Sequence, residues 1–383
     1  MIEFKNVVKQ YPNGFRAVDQ LNLTIHDGEI CVLIGPSGCG KTTSMRMVNR
    51  LIDITSGEIL IDGQPNTELP AEELRRQIGY AIQQIGLLPH MTIRDNVAIV
   101  PKLLHWDDDR IKRRVDTLLD MVGIDPSIHG DKYPRQLSGG QQQRVGVARA
   151  LGADPPIMLM DEPFGAVDPI TRDVLQAEFL QIQEEVGKTI IFVTHDIDEA
   201  IKMGDRIALL RDGQLVQYDT PDTLLAHPVN KFARNFVGAD RSLKRLGLVK
   251  VKDLMDPNPP IIKLSAKVEE ARRLMSTMPN PDSCCLFVVG DEEGKLKGWV
   301  DYGEAKKNTS LVEAMYEAPY AQIAVRTDAT AREALSAMVS RSFRITPVVD
   351  SRGKLVGSIS MKSLEKLAQE RSTFGEDGQK APA

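Results

Sequence analysis

The eight residues Gly35-Pro36-Ser37-Gly38-Cys39-Gly40-Lys41-Thr42 constrain this chain more than any other feature. They satisfy the pattern G-x-x-x-x-G-K-[ST] in full and follow the apolar run Ile30-Cys31-Val32-Leu33-Ile34, which reads as a buried parallel strand. Strand, glycine-rich turn and helix together make a phosphate cradle. Backbone N–H groups converge on phosphate oxygens and the helix N-terminus adds positive potential. In such a loop Lys41 holds the β- and γ-phosphates, and Thr42 offers its hydroxyl to Mg²⁺. Gly35, Pro36, Ser37, Gly38, Cys39, Gly40 and Thr43 complete the expected nucleotide-binding set. The first expectation is therefore an α/β fold that binds ATP with Mg²⁺.

Three further apolar runs support a mostly parallel sheet: Ile157–Met160, Thr189–Val193 and Ile207–Leu210, each set off by helical patterns. The first of them ends in Asp161-Glu162. Beside a phosphate cradle, Asp161 is expected to bind Mg²⁺ through water, and Glu162 to polarise the attacking water. Alone, two acids at a strand end are as often a solvated terminus. Between Gln83 and Asp154 the pattern turns mainly helical, with Asp107–Val122 charged and amphipathic. That predicts a helical insertion over about 84–154.

With 383 residues, two or more domains are expected. No run approaches the roughly 18 consecutive apolar residues of a membrane helix, and Met1-Ile2-Glu3-Phe4-Lys5 does not begin a signal peptide. The expectation is a chain that stays in the cytosol. Cys31, Cys39, Cys284 and Cys285 show no C-x-x-C spacing and read as free thiols. A net charge of −5 argues against a nucleic-acid partner. The charge is uneven: residues 1–240 hold about 25 Lys and Arg against about 34 Asp and Glu, whereas 241–371 hold about 22 against about 17.

That basic part contains an internal repeat. Ala266–Met275 resembles Ala329–Met338, and Val288-Val289 with Gly294–Gly298 resembles Val348-Val349 with Gly353–Gly357. A period of about 60 residues is too long for a solenoid unit and suits a small β-α-β-β-α module used twice. The expected domains are an ATP-binding domain at 1–240, a polar linker at 241–248, repeats at 249–310 and 311–371, and a disordered tail at 372–383.

Leu137-Ser138-Gly139-Gly140-Gln141-Gln142-Gln143-Arg144, together with the two motifs above and in this order, resembles the signature of ABC-transporter ATPases. The resemblance covers about the first 240 residues. It implies a P-loop ABC ATPase core with a helical subdomain, working as a homodimer beneath transmembrane permease subunits at the cytoplasmic face of the cell membrane. Ser138, Gly139, Gly140 and Gln141 would then bind the γ-phosphate of the partner copy's nucleotide. The resemblance further assigns Tyr11 to adenine stacking, Gln83 to Mg²⁺ and to the helical subdomain, Asp168 to communication across the dimer, and His195 to the γ-phosphate. Val167 stands where leucine is commoner, a conservative departure.

The repeats resemble a tandem pair of CBS domains. With Ile82–Thr92 and Val100–Trp106, the chain is similar to ATPase subunits of importers for glycine betaine, carnitine and choline. An extracellular solute-binding protein would be an indirect partner. That family suggests cyclic di-AMP or ionic strength as the signal read by the repeats, and the basic excess of the repeats would draw them to an anionic ligand or lipid surface. Arg344, Ile345 and Thr346 are the candidate ligand-facing residues. Two alternatives stay open: an importer ATPase for an amino acid or polyamine, and a soluble ABC ATPase uncoupled from a membrane.

Overall fold

The computed structural model describes residues 1–81, 86–165, 167–278, 285–290, 294–341 and 343–369. The chain divides into two compact units. One is Met1–Leu224 with Pro228–Val237, the other Leu225–His227 with Gly238–Ala383.

The strands of the first unit are β1 (Ile2–Gln10), β2 (Arg16–Ile25), β3 (Ile30–Ile34), β4 (Ser56–Ile61), β5 (Gln64–Pro65), β6 (Ile78–Ala81), β7 (Ile157–Asp161), β8 (Thr189–Val193), β9 (Arg206–Arg211) and β10 (Gln214–Asp219). They form an antiparallel sheet of order β2-β1-β4-β5 and a second sheet of order β10-β9-β3-β8-β7-β6. All neighbours in the second sheet are parallel except the β9–β10 hairpin. Every residue of β3, β7 and β8 is buried, as expected of parallel strands covered on both faces. One cover is the antiparallel sheet, whose Ile2, Phe4, Leu21 and Ile25 pack with Cys31, Leu33, Leu159 and Val193. Because β3 lies between β8 and β9, the loop after it opens at the carboxyl edge of the sheet, where open α/β sheets bind ligands.

The helical insertion is present. Helices Ile93–Leu103, Asp108–Met121 and Gly139–Leu151 all lie in the connection between β6 and β7, which are hydrogen-bonded neighbours. Their apolar faces bury Val97, Val115, Leu118, Leu119, Val145 and Ala148, so the insertion has a small core of its own.

The second unit holds β11 (Ile261–Lys263), β12 (Cys285–Val289), β13 (Leu296–Asp301), β14 (Tyr316–Glu317), β15 (Val325–Arg326), β16 (Ile345–Val349) and β17 (Leu355–Ser360). Helices Val268–Ser276 and Tyr302–Lys307 complete the first β-α-β-β-α repeat, and Ala331–Arg341 and Met361–Gln369 the second. The two agree in register: Val288 faces Gly298 and Val348 faces Gly357, each pair followed by the same irregularity.

The segments before each repeat are exchanged. Asp256 bridges to Ser358 of the second repeat, and Val251 lies in that repeat's core. Reciprocally, β14 pairs with β13 of the first repeat, whose core takes Leu311 and Ala314. Gly298 and Gly357 permit these close approaches. A Cβ at Gly298 would sit 2.2 Å from the Tyr316 carbonyl oxygen, and one at Gly357 would sit 2.8 Å from that of Asp256. The stretch read as a polar linker is in part a helix, Arg241–Leu246. Its Leu246 is buried in the second repeat's core, and Arg245 Nη1 donates to the Leu367 carbonyl at 3.1 Å.

Candidate nucleotide site

The glycine-rich loop has a shape only glycine tolerates at two points. Gly40 adopts φ 102°, and a Cβ there would lie 2.3 Å from the Ala17 carbonyl oxygen; a Cβ at Gly35 would lie 2.2 Å from that of Leu210. Lys41 opens the helix Lys41–Val48. Its ammonium group, on a residue only 8% exposed, donates to the carbonyls of Gly35 at 2.7 Å and Pro36 at 3.1 Å. A cation is thus stored inside an anion cradle, held by carbonyls it can exchange for phosphate oxygens. Cys39 is buried beside it, its Sγ 3.9 Å from Lys41 Nζ, and burial pushes the thiol up while Lys41 opposes that shift.

Parallel pairing of β7 with β8 sets Asp161 against Val193, and this register brings the residues just beyond both strands together. The Thr42 hydroxyl donates to Asp161 Oδ1 at 3.0 Å, while Arg46 Nη2 stands 3.5 Å from Oδ2. Asp161 is 1% exposed, and its Oδ2 accepts no hydrogen bond. Burial holds its carboxyl above the usual range, opposed by the Thr42 hydroxyl and Arg46. Glu162, the next residue, adopts φ 48°, a left-handed conformation that costs a non-glycine residue about 1 kcal/mol or more. Three bonds to its backbone hold it there: its N–H donates to the Val193 carbonyl at 2.9 Å, and its carbonyl accepts from the Gly165 N–H and from Gln143 Nε2, both at 3.1 Å. The Glu162 carboxylate then meets His195, with Oε1 3.0 Å from Nδ1.

The Leu137–Arg144 stretch starts the helix Gly139–Leu151. Ser138 caps it, accepting from the Gln141 N–H at 3.3 Å, and Gln141 Oε1 accepts from the Ser138 N–H at 2.9 Å. This reciprocal pair fixes the helix entry. Gly139 and Gly140 face open space, with no atom within 4 Å of where a Cβ would stand. Tyr11 sits between β1 and β2, stacked on Phe15 at 6.5 Å and 14°. Asp168 caps the helix Pro169–Val186, accepting from the Thr171 N–H at 3.0 Å.

The ABC transporter model matches residues 18–165, and the CBS domain model matches 251–308 and 321–370. The chain is 47% identical to the osmoprotectant import ATP-binding protein OsmV of Salmonella typhimurium, over 94% of each chain. This chain belongs to the ABC transporter ATP-binding proteins. It is also 44% identical to the glycine betaine/carnitine/choline transport ATP-binding protein OpuCA of Bacillus subtilis, over 98% of each chain. Among solved structures, the post-hydrolysis state of the dimeric ATP-binding cassette MJ0796, bound to ADP and Pi, is similar. It is 36% identical with a TM-score of 0.54, covering 57% of this chain and 98% of that one.

As an ABC transporter ATP-binding protein, the chain binds and hydrolyses ATP. The residues present fit Mg²⁺ as well. A buried carboxylate with one oxygen unpaired by any hydrogen bond, beside a threonine hydroxyl, is a hard oxygen set suited to that ion. Thr42 and Asp161 would hold it, and the ion would neutralise charge on the phosphates.

Several features of this site escape sequence reasoning. Arg46 pairs with Asp161, and its place four residues after Thr42 on the same helix face was the available signal. Gln143 braces Glu162 from inside the signature helix, and the backbone conformation of Glu162 has no sequence signal. Gln83 lies outside the described residues. In the second repeat, Arg344 is exposed and Ile345 half-buried, while Thr346 is 0% exposed on β16 with an unpaired hydroxyl.

Proposed function

We propose that this chain is the ATP-hydrolysing subunit of an importer for quaternary-amine compatible solutes such as glycine betaine, carnitine and choline. The observation that carries this reading is similarity over nearly the whole chain, repeats included, to proteins that bear those names. Two copies would pair so that Ser138, Gly139, Gly140 and Gln141 of one close on the nucleotide cradled by Gly35–Thr43 of the other. The open space over Gly139 and Gly140 favours this arrangement, because a helix N-terminus stripped of side chains presents its N–H groups to an incoming phosphate. Asp168 would link the two sites, and Tyr11 would stack on adenine.

In the site, Lys41 would neutralise the β- and γ-phosphates, and Glu162 would orient and polarise the attacking water. His195 would contact the γ-phosphate while its Nδ1 stays on the Glu162 carboxylate. Gln83 would sense the ion and pass closure to the helical subdomain. None of the helices among the described residues is long and apolar enough to cross a membrane. Coupling would therefore pass to separate permease subunits, with the chain at the cytoplasmic face and an extracellular solute-binding protein as an indirect partner. The repeats would bias dimer closure in response to salt, cyclic di-AMP or anionic lipid.

The test is to purify the intact complex by a tag on this chain, identify its membrane subunits, and measure ATP-driven uptake into vesicles. Uptake of glycine betaine, carnitine or choline that is lost with Glu162→Gln supports the reading. Uptake confined to polyamines or amino acids contradicts it.

A further inference from the structure

Asp161 Oδ2 accepts no hydrogen bond, yet a cation of the same chain stands beside it, Arg46 Nη2 at 3.5 Å. Arg46 lies one turn after Thr42 on the helix Lys41–Val48. A long side chain on a helix leans toward its N-terminus, so Arg46 reaches back over Thr42. The Thr42 hydroxyl holds Asp161 Oδ1 at 3.0 Å. One carboxylate is therefore divided between a hydroxyl on one oxygen and a guanidinium facing the other.

A second group steers that guanidinium. Arg46 Nε donates to the Tyr80 hydroxyl at 3.3 Å. Tyr80 sits on the edge strand β6, beside Leu159 of β7. Asp161, two residues further along β7, projects from the same face as Leu159. The backbone of Arg46 is fixed, its carbonyl accepting from the Leu51 and Ile52 N–H groups at 3.0 and 3.3 Å. Its side chain is freer: 41% of it is exposed, against 1% for that of Asp161. A buried carboxylate is thus paired with a cation that can swing toward water while its backbone stays in place.

We propose that Arg46 is a positioning residue that competes with Mg²⁺ for Asp161 Oδ2, keeping the carboxylate paired between turnovers and yielding it when the ion arrives with nucleotide. A guanidinium and a divalent ion on the same oxygen repel each other, so the oxygen serves one at a time. Without a cation of its own, the chain would hold a desolvated carboxylate beside a cradle built for phosphate, each time nucleotide leaves. Tyr80 keeps the guanidinium within reach for its return. The proposal rests on the reading of Asp161 as an ion residue given above, and the experiment separates the two.

The test is the affinity of the full-length chain for a non-hydrolysable ATP analogue, measured with Mg²⁺ and again with EDTA. Wild type is compared with Arg46→Met, Arg46→Lys, Asp161→Asn and the Arg46→Met/Asp161→Asn pair. The readout is the ratio of the two affinities, which a partial loss of folding leaves unchanged. Arg46→Met removes the competing charge and should raise the ratio about 5-fold, the scale of an ion pair partly open to water. Arg46→Lys keeps the charge and should stay within about 2-fold of wild type. In the Asp161→Asn background, Arg46→Met should change the ratio less than about 1.5-fold, because its effect passes through that carboxylate. Melting in EDTA gives an independent reading: Arg46→Met leaves Asp161 buried and unpaired, and should melt about 2 °C or more below wild type. A ratio that stays level or falls in Arg46→Met would overturn the proposal, since a merely structural arginine weakens both affinities together. So would an equal rise in Arg46→Lys or in the Asp161→Asn background, or an Arg46→Met melting temperature at or above wild type. If Asp161→Asn keeps the wild-type ratio, the ion reading of Asp161 falls and the proposal with it. If Asp161→Asn lowers the ratio but Arg46→Met does not raise it, the proposal falls alone.

Discussion

The two halves of the nucleotide site in one chain are built in opposite ways. The phosphate-cradle half is closed and internally paired: Lys41 is held by loop carbonyls, Thr42 by Asp161, and Glu162 by backbone bonds to β8 and the signature helix. The signature half is open, with no atom outside the helix backbone within 4 Å of where a Cβ on Gly139 or Gly140 would stand, and with Ser138 exposed. The first half has the buried charge, close packing and backbone strain of a finished site. The second has only a fixed helix entry. The difference teaches that the signature helix has its entry fixed by its capping box while its glycine face stays open, as the proposed pairing of two copies requires.

Variants that strike one half and spare the other sharpen this contrast. The largest effect is expected from Glu162→Gln. Turnover should fall by about 10²-fold or more, the usual worth of a general base, while ATP binding by equilibrium dialysis stays near wild type. Retained turnover would remove Glu162 from its assigned role. Next comes Gly140→Asp, which places a carboxylate where the partner's phosphate is expected. Turnover should drop by about 10²-fold, the scale of losing an oxyanion-type contact, with the far-UV spectrum unchanged. Normal turnover in that variant would mean the open face has no anion to receive.

A smaller effect concerns stability. Burial raises the folded-state Asp161 pKa above its unfolded value. The neutral form's favourable contribution is therefore complete below the unfolded pKa and lost as pH rises through the folded one. At neutral pH the ionised carboxylate therefore costs stability in the ion-free chain. Asp161→Asn should raise the ion-free melting temperature by about 2–4 °C and abolish the further rise that Mg²⁺ and ATP give the wild type. A fall in the ion-free value would show that pairing with Arg46 outweighs desolvation. The smallest effect is expected from Gly139→Ala, whose methyl enters open space. The ion-free chain should change by less than about 1 kcal/mol, measured by urea unfolding, even where turnover suffers.

How much of this was legible in the sequence follows the same division. Motifs whose chemistry demands fixed spacing announced themselves: the loop ending in Lys41-Thr42, the acids Asp161-Glu162 at a strand end, the glycines after Ser138, and the β-α-β-β-α repeat. What stayed hidden depends on register and packing across distant elements. The meeting of Glu162 with His195 follows from Asp161 pairing with Val193, and no local pattern encodes that register. The exchange of segments between the repeats was equally hidden, since Val251 and Leu311 each look like ordinary starts of the repeat they precede. Gly298 and Gly357 carried the one available clue, because both repeats keep a glycine where an outside strand crosses closely.

The central claim is that the closed half of one copy and the open half of another make one site, and mixing two dead variants tests it most directly. In a Glu162→Gln background, chains carrying Lys41→Ala and chains carrying Ser138→Arg are differently tagged, mixed, and isolated as mixed pairs with Mg²⁺ and labelled ATP. Each variant alone should trap no nucleotide, because every site in its own pair contains a lesion. The mixed pair concentrates both lesions in one site and leaves the other intact, so the account predicts one trapped ATP per pair. Mixed pairs that trap none, or Ser138→Arg chains that trap ATP by themselves, would contradict it.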